Sequence, residues 1–350
     1  MISKFRAAVL VSSKRELEIQ EISFVENLKP GQVLVKLIYS GLCGAQINEI
    51  DAVKGQDKFL PHLLGHEGVG EVVEVGDLVN HVSIGDKVIL HWMQGIGIQS
   101  QLPKYLNQRG ESINAGWVTT FNEYAVVSAN RCTKIITTIK NKFLPPLGCS
   151  ATTALGVVNN DAQIKVGETA LVIGCGGVGL LTVASLSLAG ALEIIALDIN
   201  TEKLAQAKKF GSTLELNAQD LDSKKLIKAT GEYLNGRKID AIIETTGNKV
   251  MIEFAYELAR DGGKVILVGV PNVAEPILID SLPLHFNTIL KGSKGGDSSP
   301  QVDIDRILRL TEKGRFPLTD FPITIFKLDE INEAISKLRS GTLGRMIIEF

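Results

Sequence analysis

Three residues in the first half of the chain have side chains suited to holding a divalent metal. Cys43 lies in G-L-C-G-A-Q, His66 in G-H-E-G-V-G-E-V-V-E-V-G-D-L-V (65–79), and Cys149 in P-L-G-C-S-A-T-T-A. Two thiolates and one imidazole make a three-ligand shell for zinc, with a fourth position open to water or substrate. Glu67 stands beside His66 at the entrance to a strongly β-forming run. The same residues also suit a structural reading, since a lone cysteine is usually a small buried hydrophobe; spacing alone leaves that choice open. Cys132, Cys175, His62, His81 and His285 take the structural reading.

A second constellation lies at 168–180, E-T-A-L-V-I-G-C-G-G-V-G-L. A buried strand from Ala170 to Ile173 runs into a glycine turn and a helix expected over Val178–Ala189. Gly174, Gly176 and Gly179 stand in G-x-G-x-x-G spacing: the first for a tight turn, the second for backbone approach to a pyrophosphate, the third for close helix–strand packing. Gly177 and Val178 open the helix, whose N-terminus then faces phosphate charge. A second strand, Glu193–Leu197, ends on Asp198, at the separation expected of the acid that binds ribose hydroxyls. Strand, turn, helix, strand and acid together define a dinucleotide site. Asp198 favours NAD(H), because a carboxylate there repels a 2′-phosphate and neither Ile199 nor Asn200 supplies the arginine an NADP site wants.

The elements that must position these groups fall into blocks. The first 150 residues are β-rich, with strands expected at Lys4–Val11, Leu17–Ile22, Gln32–Ser40, Gly68–Val75 and Lys87–His91, separated by Pro-Gly and Gly-Asp turns. That pattern suggests a partly open β-barrel. From 168 to about 290 apolar runs beginning at Ala170, Ile194, Thr213, Ala241 and Val265 alternate with helices, which argues a parallel doubly wound sheet. The tail, 291–350, reads as helix (Asp303–Lys313), extended run (Pro322–Lys327), helix (Leu328–Leu338) and a last strand (Arg345–Phe350) able to return to the first block's sheet. The expected division is therefore α/β, with 1–150 and 291–350 as a catalytic domain and 151–290 as the dinucleotide-binding domain.

Composition excludes several classes. A net charge of −2 from 37 basic and 39 acidic residues is no electrostatic footprint for nucleic acid or an anionic membrane surface. No apolar run reaches the ~18 residues of a membrane span, and no cleavable leader is evident. Four cysteines in 350 residues are no disulfide framework, so a reducing cytoplasm is expected.

These motifs resemble those of the zinc-dependent alcohol dehydrogenases of the medium-chain dehydrogenase/reductase family, over nearly the whole chain. Gly65-His66-Glu67, Gly70, Gly76 and Val79 fill the family's zinc signature. The resemblance implies a GroES-like catalytic domain beside a Rossmann domain, and catalytic zinc on Cys43, His66 and Cys149 with Glu67 as a supporting or exchangeable ligand. It implies NAD(H) held also by Lys203, by backbone around Val268 and Val270 in V-G-V-P, by Thr153 beneath the nicotinamide and by Arg345 at the pyrophosphate. An alcohol is then interconverted with its ketone or aldehyde in a homodimer or homotetramer. Within this comparison His91, Trp92 and Gln46 fall at the substrate pocket. The chain also departs from the pattern. Ala45 replaces the hydroxyl residue that begins the proton relay, Gln46 replaces the acid beside the ligands, and Asn48 replaces a relay histidine, leaving water, Glu67 or His91 to pass a proton. The segment 91–118 lacks the four cysteines of a structural-zinc lobe, so one zinc per chain is expected. Trp92 and Trp117 suit stacking on a polyol, sugar-derived or cyclic secondary alcohol, and equally suit simple packing of the 91–118 loop. Two rival readings stay open: a zinc-free quinone or enoyl reductase, and an NAD-binding protein with an inactive site.

Overall fold

A computed structural model describes residues 4–24, 27–219 and 223–350. They form two compact units, one comprising Met1–Thr152, Ser299–Glu312 and Thr319–Phe350, the other Thr153–Ser298 and Lys313–Leu318. The first unit begins with β1 (Phe5–Leu10), β2 (Glu18–Phe24), β3 (Gln32–Gly41), β4 (His62–Leu63) and β5 (Gly68–Val75). It continues with β6 (Lys87–Leu90), β7 (Lys104–Asn107), β8 (Ser112–Asn114), β9 (Tyr124–Ser128) and β10 (Cys132–Lys134). The second unit holds β11 (Thr169–Ile173), β12 (Glu193–Asp198), β13 (Leu214–Asn217), β14 (Ile239–Glu244), β15 (Ala259–Leu267) and β16 (Ile289–Gly292); β17 (Ile323–Lys327) and β18 (Arg345–Glu349) belong again to the first.

In the first unit β1, β2, β7, β8 and β4 close a barrel, and a seven-stranded sheet runs β10-β6-β5-β3-β18-β17 with β9 also paired to β3. β3 is buried at most positions because partners flank it on both sides: β5 along its length, β9 from Gln32 to Lys36, and β18 from Tyr39 to Gly41. The last strand thus returns to the first unit's sheet, and Leu42 N–H donates to the carbonyl of Met346 at 3.0 Å, fixing the backbone just before Cys43. Helix α1 (Gly44–Ile50) follows at once.

The hairpin β7–β8 lies inside the cysteine-free segment 91–118. Its Tyr105 is fully buried against Phe5 and Phe24 and accepts a hydrogen bond from Val126 N–H at 3.0 Å. Barrel packing therefore anchors this segment.

The second unit's sheet is parallel throughout, in the order β13-β12-β11-β14-β15-β16. Strands such as T-A-L-V-I are buried at every position, as expected where helices cover both faces. The apolar run Ile277–Leu284 forms no strand; its last residues enter a short helix, Leu282–His285, and β16 is one edge of the sheet, β13 the other. Proline at 283 lacks the N–H a ladder needs and suits the first turn of a helix instead.

Ile348 of β18 is fully buried in the core with Leu42, Phe121, Ile331 and Met346. Ile348→Ala should cost about 2–5 kcal/mol. Both tryptophans, Trp92 and Trp117, lie in this unit, so their fluorescence during denaturant unfolding reads it directly; an unchanged midpoint contradicts the placement of this strand.

Candidate metal and dinucleotide sites

Three separate segments bring the candidate ligands together. Cys43 is the N-cap of α1 at the end of β3, His66 lies between β4 and β5, and Cys149 follows a tight turn at Pro145–Gly148. Their ligand atoms lie within 4.8 Å of one another, the one such group among the described residues. A tetrahedral zinc with bonds of about 2.0–2.3 Å needs ligand atoms roughly 3.3–3.8 Å apart, so small side-chain adjustments suffice. Glycines permit the convergence. A Cβ at Gly148 would lie 2.2 Å from the Leu90 carbonyl oxygen and 2.9 Å from the Glu67 Cα, and one at Gly41 would overlap the Glu67 carboxylate.

The donor set fits a metal on its own evidence. His66 Nδ1 is hydrogen-bonded by the Gln46 amide, whereas Nε2 is buried with no hydrogen-bond partner. The Cys149 thiol donates to Cys43, which with the nearby His66 and Arg345 holds Cys43 well below the usual thiol range. The same hydrogen bond, together with burial, pushes Cys149 up. An imidazole nitrogen without a hydrogen-bond partner, close to two sulfurs, is a donor set that gives up protons when a metal binds.

Four further residues singled out in the sequence have definite partners in the first unit. Arg345, expected at the pyrophosphate, is 4% exposed and sits in the first unit with its guanidinium against Glu67 and beside Cys43. Its cation balances the buried carboxylate and thiolate there, a pairing across 278 positions that no local pattern announces. His91 is also withdrawn from the proton-passing candidates. Its Nδ1 meets the Met93 carbonyl at 2.8 Å and its Nε2 meets Thr133 Oγ1 at 2.9 Å, while burial lowers its pKa to about 4. Both nitrogens are engaged and the ring stays neutral. Trp92 lies beside Cys149, and its indole N–H is turned to that sulfur. Trp117 packs the loop: its Nε1 donates to the Ser100 carbonyl at 3.1 Å and its ring lies under the Arg131 guanidinium.

In the second unit each motif glycine meets a distinct demand. Gly174 has φ +89°, and a Cβ there would come within 2.7 Å of Thr245 and Thr246. Gly179 packs so closely that a Cβ would stand 1.8 Å from the Gly174 carbonyl oxygen. Gly176 is different: nothing lies within 4 Å of where its Cβ would be, leaving room for a ligand to approach the backbone. Gly177 and Val178 begin the helix Gly177–Ala189, both half-buried. Asp198 ends β12, accepting from Cys175 N–H at 2.7 Å and Asn200 N–H at 2.9 Å, so it ties the glycine turn to the second strand. Ile199 beside it is 65% exposed, and the half-buried Lys203 lies on the first turn of the helix Thr201–Phe210, its N–H on Asn200 Oδ1 at 3.2 Å. Val268 follows β15 with its N–H on the Glu244 carbonyl at 2.8 Å, Val270 is exposed, and Thr153 is buried in the same unit. No single residue pattern revealed Gln46 as the side chain joining Cys43 to His66; its place at the third residue of a capped helix was the available signal.

A cysteine–histidine–cysteine cluster and a Rossmann glycine turn in one chain fit the class of the zinc-dependent alcohol oxidoreductases. Residues 29–137 match the alcohol dehydrogenase GroES-like domain and residues 177–312 the zinc-binding dehydrogenase domain. The S-(hydroxymethyl)glutathione dehydrogenase of Escherichia coli O1:K1 is 31% identical over 99% of this chain and 100% of its own length. Among solved structures, the alcohol dehydrogenase zinc-binding domain protein from Burkholderia ambifaria superposes with a TM-score of 0.89 at 26% identity, over 99% of both chains. Benzyl alcohol dehydrogenase from Acinetobacter calcoaceticus shares the fold, with a TM-score of 0.88 at 24% identity over 100% of both chains. The chain belongs to the zinc-containing alcohol dehydrogenases of the medium-chain dehydrogenase/reductase family, whose usual cofactor is NAD(H).

Cys43→Ala removes one of the three candidate ligands. Elemental analysis should show zinc falling from one per chain to a small fraction, with NADH binding, read by its fluorescence, largely kept. Full zinc retention would contradict the ligand set.

Proposed function

We propose that the chain interconverts an alcohol and its ketone or aldehyde with NAD(H), using one zinc on Cys43, His66 and Cys149. The observation that carries this reading is the convergence of Cys43, His66 and Cys149, their ligand atoms within 4.8 Å of one another, with His66 Nδ1 taken by Gln46 and Nε2 left buried and unpartnered. In the division of labour we propose, 1–150 and 291–350 form the catalytic domain and 151–290 binds the dinucleotide. Zinc when bound supplies a Lewis acid that polarises a carbonyl or makes an alkoxide accessible near neutrality, and the nicotinamide supplies the hydride chemistry.

This chain's residues do the rest. Cys43 and Cys149 contribute thiolate charge, and His66 gives a neutral nitrogen. Glu67, held by Arg345, keeps a carboxylate behind the ligands, where it orients the site or exchanges onto the metal. Gly174, Gly176, Gly177, Val178 and Gly179 offer backbone to the pyrophosphate. Asp198 and Lys203 take the adenosine ribose, Ile199 lies against the adenine, and Thr153, Val268 and Val270 serve the nicotinamide side. Ala45 has no proton to pass and both nitrogens of His91 are engaged, which leaves water or Glu67 to carry the alcohol proton. Free cysteines suit a reducing cytoplasm, and among the described residues no helix is long and apolar enough to cross a membrane.

For the substrate, a polyol, sugar-derived or cyclic secondary alcohol is one class, with Trp92 as an apolar wall and Gln46 nearby. The Escherichia coli relative acts, by its name, on S-(hydroxymethyl)glutathione; that thiol adduct is the second class. Turnover across polyols, cyclic alcohols, benzyl alcohol and the glutathione–formaldehyde adduct, followed by NADH absorbance, decides between them. Absence of turnover with all of them favours a protein with an inactive site, and activity in a zinc-free preparation favours a quinone or enoyl reductase.

Asp198 sets the cofactor preference. One unit of like charge at 4 Å and an effective dielectric near 20 costs about 4 kcal/mol, and even ~2.8 kcal/mol is roughly 100-fold. NAD should therefore exceed NADP in kcat/KM, and Asp198→Gly should weaken NAD and narrow the gap; a wild-type preference for NADP contradicts the assignment.

We propose further that the chain forms a homodimer or homotetramer through the edge at β16. Leu278, Leu282, Leu284, Phe286 and Ile289 expose apolar surface there, and a sheet edge needs cover. Light scattering at micromolar concentration should give a multiple of the chain mass; a monomer refutes this.

A further inference from the structure

Gln46 touches two of the three metal ligands at once. It is fully buried at the third position of α1. Its Oε1 accepts the Cys43 backbone N–H at 3.0 Å, and its Nε2 faces His66 Nδ1. The amide's orientation follows from chemistry, because a backbone N–H is only a donor and must meet the oxygen. The NH₂ group is then left to donate to His66, so Nδ1 has to present a lone pair. A neutral imidazole with its lone pair on Nδ1 carries its proton on Nε2. Yet Nε2 is the buried, unpartnered nitrogen through which His66 would bind a metal, and a metal needs the lone pair there.

We propose that Gln46 is a positioning residue that holds His66 in the tautomer opposed to metal binding. Loading the site then moves the ring proton from Nε2 to Nδ1 and turns the Gln46 amide over. After the turn the single amide oxygen accepts from His66 Nδ1–H, and the Cys43 N–H gives up its acceptor. One oxygen serves two donors in succession. A carboxylate at this position has two oxygens and accepts from both donors together, so it has no such conflict. The consequence is a site that binds zinc less tightly and exchanges it faster than its ligand set alone would give. Partners of metal-bound histidines typically change metal affinity 10–100-fold. This inference rests on the reading of Cys43, His66 and Cys149 as the metal centre.

The test uses the full chain, stripped of metal and labelled with ¹⁵N-histidine, at a pH about two units above the ordinary imidazole value of ~6.5. Long-range ¹H–¹⁵N spectra, assigned with His66→Ala, should show His66 protonated on Nε2 in the metal-free wild type and on Nδ1 after zinc is added. In metal-free Gln46→Glu the ring should already be protonated on Nδ1. Zinc competition against a chromophoric chelator should then show Gln46→Glu binding roughly 10–100-fold more tightly than wild type. A metal-free wild-type ring protonated on Nδ1 overturns the proposal without recourse to any variant, as does a folded Gln46→Glu, checked by circular dichroism, whose zinc affinity is equal or weaker. If the wild type shows the Nε2 tautomer but no zinc binding at His66, the metal-centre reading fails while the hold of Gln46 on the ring stands.

Discussion

Like charge brought together inside a protein has to be balanced, and the first unit is arranged around that constraint. Cys43 and Cys149 as thiolates and Glu67 as a carboxylate give three negative charges; Arg345 supplies one positive charge, leaving −2 for a divalent cation to cancel. The hydrogen bond between the two sulfurs favours charge on Cys43 and pushes the Cys149 thiol up. Arg345 is therefore part of the site's charge balance even though it lies beyond hydride chemistry, and removing it would leave Glu67 unpaired in the interior, a condition proteins tolerate poorly.

Backbone geometry makes that concentration of charge possible. β18, from the far end of the chain, lies beside β3, carries Arg345 and fixes the residue before Cys43 through the Leu42–Met346 hydrogen bond. Gly41 and Gly148 leave space for Glu67 and for the turn that delivers Cys149. The second unit meets a parallel demand with the same device: Gly174 and Gly179 allow strand and helix to touch, while the open side of Gly176 leaves backbone accessible to a ligand. In both units glycine is used where two pieces of backbone, or backbone and an ionised group, must come closer than a Cβ permits.

The motif residues were legible because their chemistry is local. G-x-G-x-x-G followed by Asp198 states a turn, a helix start and an acid in one stretch, and the structure supplies a physical reason for each glycine. The parallel sheet was legible because strands buried on both faces read as continuous apolar runs. What escaped the sequence was set by distant pairing. Arg345 meets Glu67 only because β18 joins β3, His91 is immobilised by Thr133 from β10, and the β7–β8 hairpin is secured by Tyr105 among aromatic residues of β1 and β2. The bridging role of Gln46 was hidden for another reason. Its residue type records a departure from the family's acid, but only side-chain direction shows that one amide serves both Cys43 and His66.

The central claim is a mixed sulfur and nitrogen shell at a single zinc. X-ray absorption at the zinc edge of the purified full-length chain tests it most directly. The arrangement of Cys43, His66 and Cys149 requires two sulfur neighbours at about 2.3 Å and one imidazole nitrogen at about 2.0–2.1 Å, with a light atom completing four-coordination. A shell of four sulfurs, or one without sulfur, would contradict it.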